Sequence, residues 1–205
     1  MTEFFPLLAI GAAYLIGSLS FAVIVSHAMG LHDPRTYGSK NPGATNVLRS
    51  GSKKAAVITL LLDALKGFFP VILIQQWGAH WGLGHDTAAL AGMAAFLGHL
   101  FPVFFRFQGG KGVATALGVL LALHWMLGLL VLLTWGLMAW RFRYSSLASL
   151  TAAIMAPIYY VLLDGTLWRI NKSAVLCTAV MAIFLIWRHA ENINRLLKGT
   201  ESRIK

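Results

Sequence analysis

The stretch "VATALGVLLALHWMLGLLVLLTWGLMAW", residues 113–140, decides how many helices the chain has. It is apolar throughout, and it can form one long helix or two shorter helices joined at "LALHWMLG", residues 121–128. As one continuous helix it would measure about 42 Å, whereas two complete crossings of a bilayer need about 60 Å. Length alone therefore favours one crossing, and the charges of the flanking segments have to be weighed against it.

The composition places the chain in a membrane. Its 205 residues are 58% hydrophobic and only 12% charged, whereas soluble domains carry about 25% charged residues. The first apolar run is long enough to cross a bilayer and no basic segment precedes it, which argues against a cleavable signal peptide. We therefore predict an integral membrane protein, and the short connecting segments favour a single domain over residues 1–205.

The Lys and Arg residues predict the orientation of the chain. Segment 30–54 carries five of them and segment 78–87 none, so the first should be cytoplasmic and the N-terminus periplasmic. Two crossings by residues 113–140 keep the basic segments 141–146 and 188–205 in the cytoplasm, whereas one crossing moves both outside. On charge we predict an all-α polytopic protein with seven transmembrane helices, a periplasmic N-terminus and a cytoplasmic C-terminus. Topology also accounts for the net charge of +10, and we expect no nucleic-acid partner. The apolar runs are 4–29, 55–77, 88–107, 113–140, 147–163 and 174–187.

Two cytoplasmic loops have the composition of anion sites. In "YGSKNPGATNVLRSGSKK", residues 37–54, small residues and amides precede Arg49, whose planar guanidinium suits phosphate. In "FQGGKGVATALG", residues 107–118, three glycines surround Lys111 just before a predicted helix start. The second loop does not match the P-loop pattern. In both cases the alternative is an ordinary turn whose cations only keep the loop on the cytoplasmic side.

A third polar stretch, "WRHAENINRLLKG", covers residues 187–199 at a predicted junction of membrane and cytoplasm. On a helix, His189 and Asn192 would share one face, while Glu191 would be spaced to pair with Arg188 and Arg195. His189 is the titratable group best suited to proton transfer near neutral pH. The alternative is an interfacial histidine without a chemical role.

Ionisable and hydroxyl side chains also occur within the apolar runs. Asp63 and Lys66 have the helical spacing of an ion pair, and such groups usually face the interior of a helix bundle. His99 lies on the helix that leads to Lys111, and "YSSLASLTA", residues 144–152, places Ser146 at a helix start. Cys177 is the single cysteine, no metal-ligand cluster is recognisable, and we expect neither a metal nor a cofactor.

Three motifs together carry a resemblance to a known family. The stretches "GSKNPGATNVLR" (38–49), "GHLFPVFFRFQGGKGVATALG" (98–118) and "RHAENINRLLKG" (188–199) resemble the bacterial glycerol-3-phosphate acyltransferases that use acyl phosphate, which are membrane-integral lysophosphatidate synthases. The similarity extends over essentially the whole chain. One departure is Lys40, where the family pattern has glycine.

The resemblance implies a seven-helix enzyme of the bacterial inner membrane with an active site open to the cytoplasm. It implies acyl transfer from a fatty acyl phosphate to the 1-hydroxyl of sn-glycerol 3-phosphate, yielding lysophosphatidic acid and inorganic phosphate, the first step of phospholipid synthesis. Its partners would be these two substrates and the lipid bilayer, and it would function as a monomer.

The resemblance also implies roles for particular residues. The catalytic set would be Ser39, Arg49, Lys111, His189 and Asn192, and the glycine loop would hold glycerol phosphate. The residues and the resemblance together give as substrate-binding candidates Gly38, Asn41, Gly43, Thr45, Asn46, Lys66, His99, Gly109, Gly110, Gly112, Thr115, Ser146 and Arg195, and the ion-pair spacings give Asp63 and Glu191 structural roles.

Acyl phosphate is already activated, so direct attack without an acyl-enzyme should suffice. The proton could go to His189 or to an oxygen of the acyl phosphate itself. The competing functional classes are a transporter of an organic phosphate and a structural membrane scaffold. Against a transporter, the chain shows no paired interrupted helices in two matching halves.

Overall fold

The structure is a computed structural model that describes residues 4–204, and within this range it is built from helices. Two short 3-10 helices, Gly78–Trp81 and Val103–Phe105, extend the ends of two of the α-helices. The α-helices are α1 Phe5–Gly17, α2 Phe21–Ala28, α3 Ala44–Leu48, α4 Lys53–Trp77, α5 His85–Leu100, α6 Val113–Leu123, α7 Trp125–Phe142, α8 Ser145–Leu162, α9 Lys172–Arg188 and α10 Ala190–Leu197.

The lengths and apolar composition of the helices are those of a membrane protein. In the described range α4, α5, α7 and α8 are each long and apolar enough to cross a bilayer, α4 and α5 together with the 3-10 turns that follow them. Two further spans result if α1 with α2, bent by 43°, and α9 with α10, bent by 58°, each count as one. The all-α membrane-integral class is thus confirmed, while seven crossings and the orientation of the termini stay predictions.

Residues 113–140 form two helices rather than one. The chain breaks at His124, whose backbone is extended (φ −155°, ψ 106°), and the ring of Trp168 covers the break at 4.6 Å between ring centroids. A Cβ on Gly128 would lie 2.5 Å from Cγ of Leu121, so α7 packs closely against α6. The predicted break is confirmed, although the eleven residues of α6 span only about 16 Å.

Glycines bring the inner helices into backbone contact. A Cβ on Gly118 of α6 would lie 1.9 Å from the carbonyl oxygen of Ala64 in α4, and a Cβ on Gly67 of α4 would lie 2.3 Å from that of Thr115 in α6. Such close approach requires small residues and is typical of membrane helices. It holds α6, and therefore the loop before it, at a fixed position beside α4 and α5.

Polar contacts join distant loops at one end of the bundle. Lys111, before α6, bonds to Asn192 of α10, and Arg49, after α3, bonds to Ser202 of the C-terminal tail. The backbone N–H of Ile204 donates to the carbonyl of Arg143, between α7 and α8. The three motifs recognised in the sequence therefore meet in space.

Candidate active site

A cavity of about 880 Å³ lies where these loops meet and continues between the helices. One end is polar, and the rest is lined by apolar side chains of α6, α7, α8 and α9. The polar end is lined by Ser39, Asn41, Gly43, Thr45, Asn46, Arg49, Asp63, His99, Lys111, Gly112, Ser145, Ser146, His189, Asn192, Arg195, Glu201, Ser202 and Arg203.

The first loop is organised by the side chain of Asn46. This buried amide accepts from the backbone N–H of Ser39 at 3.0 Å and donates to the carbonyls of Pro34 at 2.7 Å and Tyr37 at 3.2 Å. Gly38 has φ +58°, and a Cβ there would lie 2.3 Å from Oδ1 of Asn46. Asn46 was predicted to bind substrate, but its amide is occupied in holding Ser39 at the cavity, and Gly38 does not line the cavity.

The backbone conformation of Lys40 accounts for the glycine that the family pattern has at this position. Its φ is +54°, in the left-handed region that a residue with a Cβ enters at a cost of about 1–2 kcal/mol. The lysine side chain is exposed. The substitution therefore keeps the left-handed backbone of the loop and adds a cation at the surface.

The glycine loop, residues 109–112, fits only because it lacks side chains at three positions. A Cβ on Gly109 would lie 2.2 Å from the carbonyl oxygen of His99, and one on Gly110 would lie 2.2 Å from Nε2 of the same residue. Gly112 has φ +85° and precedes the first residue of α6. Gly109 and Gly110 support the loop without lining the cavity, whereas Lys111 and Gly112 line it.

Lys111 is the cation at the centre of the polar end. Its Nζ donates to Oδ1 of Asn192. Burial, with the positive charge of Arg195 nearby, lowers the pKa of Lys111 from 10.5 to about 8. A lysine with this pKa is mostly charged at neutral pH and loses its proton at mildly alkaline pH.

The third motif bends where a continuous helix was expected. α9 ends at Arg188 and α10 begins at Ala190, with a bend of 58° between them. His189 caps α10 and its carbonyl accepts from the N–H of Ile193, so residues 189 and 192 lie on one face of α10, as expected, and both line the cavity. Nδ1 of His189 lies 2.8 Å from the carbonyl of Leu185, which leaves Nε2 as the nitrogen without a proton when the ring is neutral.

Glu201 was not among the residues predicted from the sequence. Its carboxylate, 7% exposed, accepts from Oγ of Ser146 at 2.7 Å, Nδ2 of Asn192 at 2.6 Å and Nε of Arg195 at 2.7 Å. Burial opposes the charge, but these hydrogen bonds outweigh it and lower the pKa of Glu201. The signal available in the sequence was a lone acid in the basic tail, directly after the third motif.

Glu191, which was predicted to be structural, is largely exposed. Its side chain is 88% exposed and lies 3.7 Å from Arg195. In the part of the chain that the structure describes, no ion pair joins it to Arg188. The predicted spacing to Arg195 is thus realised as an exposed ion pair, while the buried carboxylate beside Arg195 is that of Glu201.

The intramembrane charges form one cluster beside the cavity. Nζ of Lys66 lies 2.7 Å from Oδ1 of Asp63 and donates to the carbonyl of Leu19 at 2.7 Å. Nδ1 of His99 lies 3.5 Å from the same carboxylate oxygen. Asp63 and His99 line the cavity, whereas Lys66 and the fully buried Thr115, both predicted to bind substrate, do not.

Comparison with known proteins identifies the family. A family model described as "Glycerol-3-phosphate acyltransferase" matches residues 7–199. The chain belongs to the glycerol-3-phosphate acyltransferase family. Glycerol-3-phosphate acyltransferases of Albidiferax ferrireducens and Burkholderia pseudomallei are both 63% identical to it, over 204 and 198 residues, which cover 100% and 97% of this chain and 91% and 95% of the relatives.

Two crystal structures resemble this acyltransferase along its whole length. They show PlsY (YgiH), an integral membrane glycerol 3-phosphate acyltransferase, in a glycerol 3-phosphate form and a lysophosphatidic acid form. The TM-scores are 0.86 and 0.84 and the identities 40% and 39%, covering 98% of this chain and 96% and 95% of those chains. The resemblance found in the sequence is confirmed, and the chain is a membrane-integral acyltransferase.

The described residues offer no evident metal site to this acyltransferase. Within residues 4–204, no three His, Cys, Asp or Glu side chains are grouped so that they could hold a metal ion. The polar end of the cavity is instead lined by the cations Arg49, Lys111, Arg195 and Arg203.

Proposed function

We propose that the protein transfers a fatty acyl group from acyl phosphate to the 1-hydroxyl of sn-glycerol 3-phosphate, yielding lysophosphatidic acid and inorganic phosphate. The observation that carries the proposal is the two-part cavity, whose cationic end runs directly into an apolar channel. A phosphate head group and a fatty chain need these two environments side by side. The reaction would be the first step of phospholipid synthesis.

The channel has room for an acyl chain because small residues line it. Ala116 of α6 and Ala152, Ala153 and Ala156 of α8 face the cavity. From Ser146 at the polar end to Ala156, α8 rises by about 15 Å. This supports the expectation that the acyl chain lies along the small-residue faces of α6 and α8.

Acyl phosphate as the donor is supported by the charge of the polar end. Donor and acceptor each bring a phosphate, and within residues 4–204 four cationic side chains face the cavity against the two carboxylates Asp63 and Glu201. Lys111 and Arg49 would stabilise the charge that develops on the carbonyl oxygen and on the leaving phosphate. Holding both substrates together lowers the barrier further.

Direct attack is supported by the hydrogen bonds of residues 4–204, which join no serine hydroxyl to His189 as a nucleophile–base pair. Ser39, Ser146 and His189 line the cavity, yet the polar contact of the His189 ring is with the carbonyl of Leu185. In the proposed step the acceptor oxygen bonds to the acyl carbon, the bond from that carbon to the phosphate oxygen breaks, and the hydroxyl proton goes to Nε2 of His189 or to a phosphate oxygen. Ser39 and Asn192 would orient the reacting groups.

The site would open to the cytoplasm from the inner membrane. The loops that form the polar end carry most of the basic residues, which favour the cytoplasmic side. We further propose that residues 1–205 form one domain with seven crossings that works as a monomer, on its two substrates and within the lipid bilayer.

Phosphate release by the purified protein in detergent tests the reaction. With palmitoyl phosphate we expect release only when glycerol 3-phosphate is present, with lysophosphatidic acid formed in equal amount. A burst of release without acceptor would indicate an acyl-enzyme and contradict direct attack. Turnover only with an acyl thioester would change the donor, and no turnover with either donor would favour a transporter.

The pKa of Lys111 predicts the alkaline limit of activity. Because this pKa is lowered to about 8, the ammonium is present below pH 8 and is lost above it. We expect kcat/KM to fall towards tenfold per pH unit above about pH 8, since kcat/KM reports the free enzyme. A profile that stays flat to about pH 9.5 would show that the charge of Lys111 is not required.

His189→Gln separates the two proton acceptors. Gln places an amide near the position of Nε2, but it cannot take a proton there. If His189 is the base, turnover should fall about 10²–10⁴-fold at every pH. A loss of less than about tenfold would assign the proton to the substrate phosphate.

A further inference from the structure

Arg188 makes a two-point contact with the glycine loop. It is the last residue of α9, and its guanidinium donates from Nη2 to the carbonyl of Gly109 at 2.7 Å and from Nε to the carbonyl of Gly110 at 3.1 Å. Its sequence spacing suggested a pair with Glu191, but the structure directs it to the loop instead. A planar fork can bond two neighbouring carbonyls at once, which a lysine ammonium cannot do with the same geometry.

The rest of the loop is fixed to α5. The N–H of Gly110 donates to the carbonyl of His99 at 3.1 Å, and Gly109 packs on the backbone of His99 and Leu100. The loop therefore lies between the C-terminal ends of α5 and α9. Arg188 is the side chain that ties it to α9.

The contact of Arg188 lies next to Lys111 in both sequence and space. Lys111 follows Gly110 directly, and its Nζ meets Asn192, which is four residues beyond Arg188. A closed ring of contacts thus runs from the glycine loop through Arg188, α10, Asn192 and Lys111 back to the loop. If the Arg188 contact is lost, the loop keeps its bond to His99, but its distance to His189 and Asn192 is no longer fixed.

We propose that Arg188 is a positioning residue for acyl transfer, which holds the glycine loop so that the ammonium of Lys111 lies beside His189 and Asn192. The proposal rests on the proposed function, since it concerns the same site. It assigns Arg188 no contact with substrate.

The test compares Arg188→Lys and Arg188→Met with the matched variants Arg169→Lys and Arg169→Met. Arg169 is exposed in the segment between α8 and α9 and does not line the cavity. Each variant is purified in detergent, and kcat, KM and melting temperature are measured with the donor that the wild type uses. We expect kcat to fall about 10²-fold for Arg188→Met, as for a misplacement of about 1 Å, and less for Arg188→Lys, with no change for either Arg169 variant.

The pH profile separates positioning from charge. The charged or titratable groups near Lys111 are Arg195, Glu201, Glu191, Arg188 and His189. Arg188→Lys keeps the positive charge, so its alkaline limb should stay where the wild type has it while kcat falls. Arg188→Met removes a positive charge that lowers the pKa of Lys111. The alkaline limb of its pH profile should therefore move to higher pH.

Hydrogen–deuterium exchange over residues 108–113 gives a readout independent of activity. We expect these residues to exchange faster in Arg188→Met than in Arg188→Lys, while the rest of the chain exchanges at the same rate in both variants. A wild-type kcat for Arg188→Lys would overturn the proposal. So would an Arg188 variant whose melting temperature falls while the kcat of its folded enzyme is unchanged. A wild type inactive with every donor would instead refute the proposed function, while the exchange result would still decide whether Arg188 holds the loop.

Discussion

Replacing Lys111 by alanine should lower the rate of acyl transfer by about 10²–10³-fold, the usual effect of removing a charged group that stabilises a transition state. The side chain places its ammonium at the polar end of the cavity, on Asn192 and among Arg195 and Glu201. No other lysine lines the cavity within residues 4–204. Phosphate release and lysophosphatidic acid formation, measured at pH 7, would give the effect.

The control for this variant is Lys172→Ala. Lys172 is exposed at the start of α9, whereas the cavity lies against the opposite end of that helix. We expect Lys172→Ala to keep the wild-type rate. Lys111→Arg should recover only part of the activity, because a guanidinium is larger and cannot reproduce the single contact with Asn192. A rate for Lys111→Ala within about threefold of the wild type would rule out the stabilising role.

Replacing Gly109 by alanine should lower both stability and activity. The new Cβ would lie 2.2 Å from the carbonyl oxygen of His99 and 2.3 Å from that of Leu100. Both atoms belong to the backbone at the end of α5, so the loop has to move instead. We expect a destabilisation of about 1–3 kcal/mol, and a fall in activity of about 10²-fold because Lys111 moves with the loop.

Gly136→Ala is the matched control, since it adds the same methyl group to α7 where no atom lies within 4 Å. Alanine is the better helix former, so this variant should be as stable as the wild type or more stable by about 0.5–1 kcal/mol. Melting temperature in detergent and KM for glycerol 3-phosphate would be measured for both. A Gly109→Ala enzyme with wild-type KM and kcat would show that the loop can shift without moving Lys111.

Local sequence patterns predicted the parts of the site that depend on neighbouring residues. A glycine-rich turn before an apolar run predicted the start of α6. The charges of the flanking segments predicted two helices in residues 113–140, and the polar-aromatic "LALHWMLG" indicated where the break at His124 would fall. The turn and the position of the break depend on backbone preferences within a few residues, which a single sequence carries directly.

Contacts between distant residues were not predictable in the same way. Helix periodicity paired Arg188 with Glu191, but the bend at His189 turns Arg188 to the glycine loop and leaves Glu191 exposed. Glu201 contacts Ser146, 55 residues away, and no local pattern indicates such a contact. Asn46 lies in a predicted binding loop, yet its amide serves the loop itself.

The sequence by itself determined the membrane class, the family and the three motifs, because hydrophobicity and local turn chemistry are properties of short segments. Only the tertiary structure decided which side chains face the cavity, that the C-terminal tail supplies Glu201, and that Arg188 ties the glycine loop to α9. The physical reason is that Gly67 and Gly118 let the backbones of α4 and α6 touch, which fixes the spacing of these two helices. That spacing determines which polar groups from distant segments can reach one another.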